Sequence, residues 1–191
     1  MRCYNCHNIT LFSFCLKCKR ELGEFSLGIR KLDNNFKVYY FYKYNDIKHL
    51  LYSKHKFHGY FIYNFLSKII SSKFKDIFCV DEIINVIAID DRVENMLYSH
   101  CAIIAKNLKT DYIKPIFNVL KSTNLVKYSG KDLKFREKNK RKFKLLKNIK
   151  YPVILVDDIV TTGSTILEAR EILEKNKIKV LFALVLADAK E

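Results

Sequence analysis

Residues Asp157-Asp158-Ile159-Val160-Thr161-Thr162-Gly163-Ser164-Thr165 bring two acids, four hydroxyls and a glycine into one short run. Paired carboxylates accept hydrogen bonds from sugar hydroxyls, and as hard oxygen ligands they suit a bound Mg²⁺. The hydroxyls of Thr161, Thr162, Ser164 and Thr165 are donors for a phosphate, and Gly163 lets the backbone approach it closely. A helix starting directly after the loop would add free N–H groups and the positive end of its dipole to the same anion site. An acidic pair before a Thr/Gly turn can also do no more than cap a helix. A buried strand leading into the run separates the two readings.

A second set of ligand-type residues stands at the start of the chain. Cys3-Tyr-Asn-Cys6 and Cys15-Leu-Lys-Cys18 are two CxxC pairs with eight residues between them. Four thiolates at this spacing can close a tetrahedral Zn²⁺ site of structural type, with no open coordination position. Disulfides are the competing chemistry, and a chain kept in a reducing compartment disfavours them. His7 is a further candidate ligand, with a surface role as the simpler reading. Cys79 and Cys101 stand alone in apolar surroundings and read as buried thiols.

These groups need elements to hold them. Val153-Ile154-Leu155-Val156 reads as a buried strand that delivers the acidic pair at its carboxyl end, where open α/β sheets bind ligands. Within a strand adjacent side chains point to opposite faces, so a turn of the backbone after Val156 is what would bring Asp157 and Asp158 to one ribose. Thr165 with Glu168 fits a capping box, Ile166, Ala169, Ile172 and Leu173 form a buried helix face, and Asn176 can end the helix. Upstream, Val38 to Tyr44 reads as a strand, and Ile47, Leu50 and Leu51 have helical spacing. Phe61, Phe65, Leu66, Ile69 and Ile70 mark a second helix. Ile83 to Ile89 is an apolar run typical of a parallel strand covered on both faces, and it ends at Asp90-Asp91. A helix around Leu97 to Leu108, a short strand around Lys114 to Leu120 and a last strand ending near Ala187 complete an alternating α/β pattern, which implies a parallel sheet with right-handed crossovers. The cysteine module and a linker containing Gly23, Gly28 and Asn34-Asn35 occupy residues 1–35, and the α/β domain residues 36–191.

The formal charge of +15 at pH 7 directs attention to polyanions. Most of the basic residues are Lys, however, and an A+T-rich coding bias would produce the same excess. Distribution is more informative than the total. From Lys127 to Lys150 the chain has eleven Lys or Arg against Asp132 and Glu137, with Tyr128, Phe135 and Phe143 interleaved. Lys138, Lys140, Arg141, Lys142 and Lys144 could track a phosphate backbone while the rings stack on unpaired bases. A solvated face or loop is the alternative. The longest apolar run, Val180 to Ala187, falls short of the roughly 20 residues of a membrane helix, and Met1 to Arg20 lacks the apolar stretch of a signal peptide. A cytoplasmic protein is expected.

Val153 to Thr165 resembles the phosphoribosyl-diphosphate signature of the phosphoribosyltransferases. The resemblance implies a type I phosphoribosyltransferase-like sheet flanked by helices. It also implies ribose contacts for Asp157 and Asp158, 5-phosphate contacts for Thr161 to Thr165, and Mg²⁺ bound with the ligand. Joined to the four-cysteine module, the pattern resembles the ComF family (ComFC-type) of DNA-uptake competence proteins. Tyr42-Lys43-Tyr44 with Ile47-Lys48-His49-Leu50-Leu51 and Lys54, and Ser129-Gly130-Lys131-Asp132-Leu133 with Arg136, Asn139 and Phe143, are similar to other segments of that family. This likeness implies binding of single-stranded DNA and a partner in the DNA-uptake or helicase machinery. The chain departs from the family where Ile87-Ala88-Ile89-Asp90-Asp91-Arg92 and Met96-Leu97-Tyr98-Ser99-His100 replace the segment that would hold diphosphate, which bears on turnover more than on 5-phosphate binding. The alternatives are a phosphoribosyltransferase of nucleotide salvage or synthesis, and a scaffold with a relict loop.

Overall fold

A computed structural model describes residues 1–25, 27–93, 97–124 and 141–190. In chain order its elements are α1 (Leu16–Gly23), β1 (Gly28–Lys31), β2 (Lys37–Lys43), α2 (Tyr44–Leu51), α3 (Gly59–Ile77), β3 (Ile84–Ala88), α4 (His100–Asn107), β4 (Ile113–Ile116), β5 (Leu120–Ser122), β6 (Phe143–Leu145), β7 (Val153–Val160), α5 (Ser164–Lys175) and β8 (Val180–Asp188). Among the described residues the strands form a six-stranded sheet in the order β1-β2-β8-β7-β3-β4 and a separate two-stranded ribbon of β5 and β6. Within the larger sheet only the β1–β2 pairing is antiparallel. The fold is mixed α/β, a mostly parallel sheet flanked by helices.

Alternation along the central strands explains the layers. Ile154 and Val156 of β7 with Leu184 and Leu186 of β8 face α2, α3 and α4, where Ile47, Leu66, Ile70 and Ile104 cover them. Val153 and Leu155 with Ala183 and Val185 face the other way, onto Ile166, Ala169 and Leu173 of α5. Side chains of period two therefore bury both faces, as a parallel sheet requires. β3 is buried along its whole length, and Pro115 lies in β4, the last strand in the sheet order, where a missing N–H need not break a ladder.

The cysteine-bearing segment packs on the α2/α3 side. Phe14 is 1% exposed and stacks on Phe65 of α3 at a centroid distance of 4.2 Å. Tyr4 stacks on His58, the Asn5 and His49 side chains meet at 2.8 Å, and the Tyr42 hydroxyl donates to the Leu22 carbonyl at 2.6 Å. From within residues 1–35, β1 adds a strand to the sheet edge, and Arg30 there forms an ion pair with Asp188 at 2.8 Å.

Four local expectations change. The helix expected from Leu97 starts at His100: Leu97 has φ +63°, outside helical space, and Ser99 caps the helix by accepting the Ala102 N–H at 3.2 Å. The strand expected from Lys114 to Leu120 divides into β4 and β5, because the chain turns at Asn118, with φ +54°, whose N–H donates to the Asp91 carboxylate. Cys101 is buried as expected, but Cys79 is exposed, since it follows the end of α3 and precedes β3 rather than lying in either. Glu168 takes no part in a capping box. The helix begins at Ser164 behind Gly163, which puts Glu168 too far into it, and its carboxylate accepts the backbone N–H groups of Arg141 and Lys142 instead.

Phe14→Ala removes the ring that seats the cysteine module on α3. The variant should lose about 3 kcal/mol of unfolding free energy, read as a lower urea midpoint at constant slope. An unchanged midpoint would contradict this docking.

Candidate functional site

Asp157 and Asp158 lie inside β7, which continues to Val160 and pairs Asp157 with Val185 and Val160 with Asp188. The turn expected after Val156 is therefore displaced beyond Val160, and contacts with other elements bring the two carboxylates to one place. Asp158 is only 6% exposed and faces the helical layer. Its Oδ2 accepts from Lys54 Nζ at 2.7 Å and lies 3.5 Å from both His100 Nε2 and the Tyr63 hydroxyl. The Asp157 carboxylate folds over its own strand, accepting the Asp158 N–H at 2.9 Å, and receives the Cys101 thiol at 3.4 Å. His100 and Cys101 open α4, so the helix that covers the sheet also brings its first turn to both acids.

Two adjacent carboxylates in such a place cannot share one state of charge. Burial works to raise Asp158, but the charge and hydrogen bond of the Lys54 ammonium outweigh it and hold this group well below the usual carboxylate range. Among the described residues Asp157 has no such counterion in contact; burial and the negative charge of Asp158 push it up to about 7. Lys54 responds in the opposite sense to its burial, its pKa raised by the Asp158 charge. Desolvation lowers His100, so the imidazole is neutral at pH 7, whereas burial and the neighbouring acids keep the Cys101 thiol and the Tyr63 hydroxyl protonated. The result is one Lys54–Asp158 ion pair, one titrating carboxyl, and neutral groups on His100, Cys101 and Tyr63 around them.

The loop Thr161 to Thr165 follows directly. Thr162 and Ser164 hydroxyls are 2.8 Å apart, and the Ser164 N–H reaches Thr162 Oγ1 at 3.3 Å. Gly163 has φ +83° and caps α5, whose first-turn amides have no carbonyl to meet within the helix. A side chain there would be strained in backbone terms, and a Cβ would lie 2.5 Å from Leu32 Cδ1. Thr161, Thr162, Ser164 and Thr165 are partly exposed, Gly163 buried. Backbone donors, hydroxyls and carboxylates thus follow one another along the chain at the carboxyl end of the sheet, an arrangement able to hold a sugar phosphate.

Asp90, at the end of β3, anchors a neighbouring set of charges. It accepts a two-pronged contact from Arg92, at 2.9 and 2.7 Å, and a third bond from Arg141 at 2.9 Å. Burial opposes its ionisation, yet the two guanidinium groups hold its pKa below the ordinary value. Arg141 is accordingly tied to Asp90. Lys142 and Lys144 are exposed, while Phe143 between them is only 8% exposed and packs in the core, so it offers no face for stacking. Lys138, Lys140, Tyr128, Phe135 and the matches between Ser129 and Asn139 lie outside the described residues.

At the other end of the sequence the Sγ atoms of Cys3, Cys6, Cys15 and Cys18 all lie within 4.8 Å of one another. Cys6 and Cys15 are 3.7 Å apart, against about 3.8 Å between sulfurs around a tetrahedral ion with metal–sulfur bonds of about 2.3 Å. Backbone N–H groups aimed at Cys3 overcome its burial and lower its pKa to about 6, whereas burial, followed by the neighbouring thiols, pushes Cys18 up to about 12. Four ionised thiols would require a cation among them, and the four cysteines can bind a structural metal ion. His7 is exposed, at a turn with φ +62°, and is absent from this group. Nothing in the sequence assigns Lys54, Tyr63, His100 and Cys101 to the carboxylates. A lysine, a tyrosine and a His-Cys pair in three separate segments carry no spacing signal, and only the packing of α3 and α4 on β7 collects them.

No protein-family model and no curated protein matches the chain. Solved structures do. A hypoxanthine phosphoribosyltransferase from Staphylococcus aureus is similar at 16% identity and a TM-score of 0.41, over 66% of this chain and 62% of that enzyme, so the match spans less than two thirds of the enzyme's length. Orotate phosphoribosyltransferase from Aeropyrum pernix matches at 18% identity and a TM-score of 0.39, over 90% of this chain and 80% of that one. The UMP synthase of Leishmania donovani matches at 16% identity and a TM-score of 0.38, over 90% of this chain and 31% of its own. Among the described residues, no helix is long and apolar enough to cross a membrane.

The divided charge of the acidic pair has a measurable sign. Asp157 titrates near 7 in the native protein and near about 3.9 when unfolded, so its contribution to stability is fully present below about 4 and is lost as pH rises through 7. Asp158 has the opposite sign, with stability lost only as pH falls below about 4. Between pH 5 and 8 the wild-type melting temperature should therefore fall relative to that of Asp157→Asn. Parallel pH profiles for the two proteins would contradict the assignment.

Proposed function

We propose that the chain is a ComF-like protein of natural transformation that binds phosphoribosyl diphosphate, or a related 5-phosphoribosyl ligand, and handles single-stranded DNA in the cytoplasm. The observation that carries the ligand reading is the Asp157-Asp158 pair running directly into the Gly163-capped hydroxyl loop at the carboxyl end of β7. In this reading the loop from Thr161 to Thr165 takes the 5-phosphate, and Asp157 and Asp158 take the ribose hydroxyls with Mg²⁺, an oxygen-seeking cation suited to carboxylates. Cation binding would draw the proton from Asp157, so affinity rises with pH through 7. Zn²⁺ is the proposed ion of the four-cysteine module, because thiolates and tetrahedral closure suit it. Its role is to hold the fold together, and Cys3, Cys6, Cys15 and Cys18 leave it no position for substrate.

The DNA part rests on the basic segment, of which Lys142 and Lys144 are exposed cations next to Lys138 and Lys140 in sequence. A DNA-uptake or helicase protein is the partner class that goes with it. A second reading, a phosphoribosyltransferase of nucleotide salvage or synthesis, is favoured by one specific observation: the neutral His100 imidazole stands 3.5 Å from Asp158, where it could exchange a proton with a bound sugar or base.

Calorimetric titration of the zinc-loaded protein with phosphoribosyl diphosphate and Mg²⁺ should give saturable one-to-one binding, weakened at least about tenfold by Asp158→Asn or Gly163→Ala. Metal analysis of the same sample should return one zinc per chain, and chelation should lower the melting temperature. Release of diphosphate with a nucleobase would move the assignment to the second reading. Absence of binding by the metal-loaded protein would overturn both.

A further inference from the structure

Between α2 and α3 the chain makes a short turn that carries unusual surface chemistry. Phe57, Tyr60 and Phe61 are 75%, 42% and 45% exposed, and Tyr52 at the start of the turn is 62% exposed. Phe57 and Phe61 meet with centroids 6.4 Å apart at 71°, and Tyr60 and Phe61 at 5.5 Å and 85°. Tyr60 in turn meets Tyr98 at 6.1 Å and 77°. Edge-to-face contacts hold the rings against one another, and the exposures show that much of each ring remains open to solvent.

The turn is also preformed. The Tyr98 hydroxyl lies 3.3, 3.0 and 3.0 Å from the carbonyl oxygens of Ser53, Lys54 and Lys56. Gly59 permits that approach, since a Cβ there would fall 2.1 Å from the Ser53 oxygen and 2.2 Å from the Tyr98 hydroxyl. Rings held this way lose little freedom when something stacks on them. From the same turn Lys54 reaches Asp158, so one short segment carries both the exposed rings and a contact to the carboxylate site.

We propose that Phe57, Tyr60 and Phe61 form a stacking platform for the unpaired bases of single-stranded nucleic acid. Charge selects this occupant over a protein partner. From Tyr44 to Lys68 the chain has one acid, Asp46, against Lys48, Lys56 and Lys68, with Lys54 engaged by Asp158; Lys48 and Lys56 are exposed, and Lys56 directly precedes Phe57. A second copy bearing the same cations would be repelled, whereas a strand of phosphates is attracted and its bases find open aromatic faces. The inference rests on the nucleic-acid part of the proposed function but assigns it a surface separate from Lys142 and Lys144.

Fluorescence anisotropy with a labelled oligodeoxythymidylate across a salt series tests it on the full chain. Phe57→Ala and Phe61→Ala should each weaken binding about tenfold, with the slope of log affinity against log salt unchanged, because neither ring is charged. Phe57→Tyr should retain affinity, and duplex DNA of equal length should bind less tightly. Ring variants that bind like the wild type would overturn the platform. So would ring variants that alter only the oligomeric state, which would make this face a contact between copies. If Lys142→Glu with Lys144→Glu alone reduces affinity, the platform fails while the proposed function stands. If the wild type binds no oligonucleotide yet binds phosphoribosyl diphosphate, the DNA part of both falls and the ligand assignment survives.

Discussion

The ion pair between Lys54 and Asp158 is the constraint around which the site is organised. Two adjacent carboxylates in a strand between helical layers would repel each other and resist desolvation, and one counterion at 2.7 Å resolves the conflict for Asp158. The second acid, with no contacting cation among the described residues, keeps its proton up to near neutrality. Because Lys54 comes from the turn before α3, Tyr63 from α3 and His100 from α4, the same pair also sets how these elements sit over β7. A fixed charge next to a titrating one is a useful arrangement for a ligand that carries both hydroxyls and a metal ion, since the site can accept the cation by giving up a proton.

Beyond the sheet, charges that invite a polyanion when read along the sequence are partly used within the protein. Arg141 and Arg92 both bind Asp90, and Glu168 of α5 holds the backbone of Arg141 and Lys142. Asp90 and Arg92, which follow β3, are thus engaged in an internal ion cluster with Arg141. Net charge overstates the freely available cations for this reason, and exposed aromatic rings beside lysines are a more selective guide to where a single strand would lie.

Much of the architecture was legible in the residues themselves. Apolar runs of strand length at Val38 to Tyr44, Ile83 to Ile89 and Val153 to Val156 mark β2, β3 and β7, and the spacing of Phe61, Leu66 and Ile70 marks α3. Asn176 does end α5. What failed was local. Thr165 and Glu168 have the residue types of a capping box, but Gly163 in left-handed backbone starts the helix earlier and frees Glu168 for a distant partner. Asp157 and Asp158 were expected on a turn and lie on a strand, since pairing with β8 continues past them. The partners of the acids were illegible because contacts between residues about a hundred positions apart, such as Lys54 and Asp158, leave no periodicity to read.

The cysteine module and the acidic pair are brought into one structure through Phe14, Phe65 and the helical layer. A crystal structure of the zinc-loaded protein with phosphoribosyl diphosphate and Mg²⁺ addresses the central claim most directly. The expected result is a 5-phosphate on the amides and hydroxyls of Thr161 to Thr165, with the ribose hydroxyls at Asp157 and Asp158. A ligand bound elsewhere, with the loop empty and Lys54 still closed on Asp158, would contradict it.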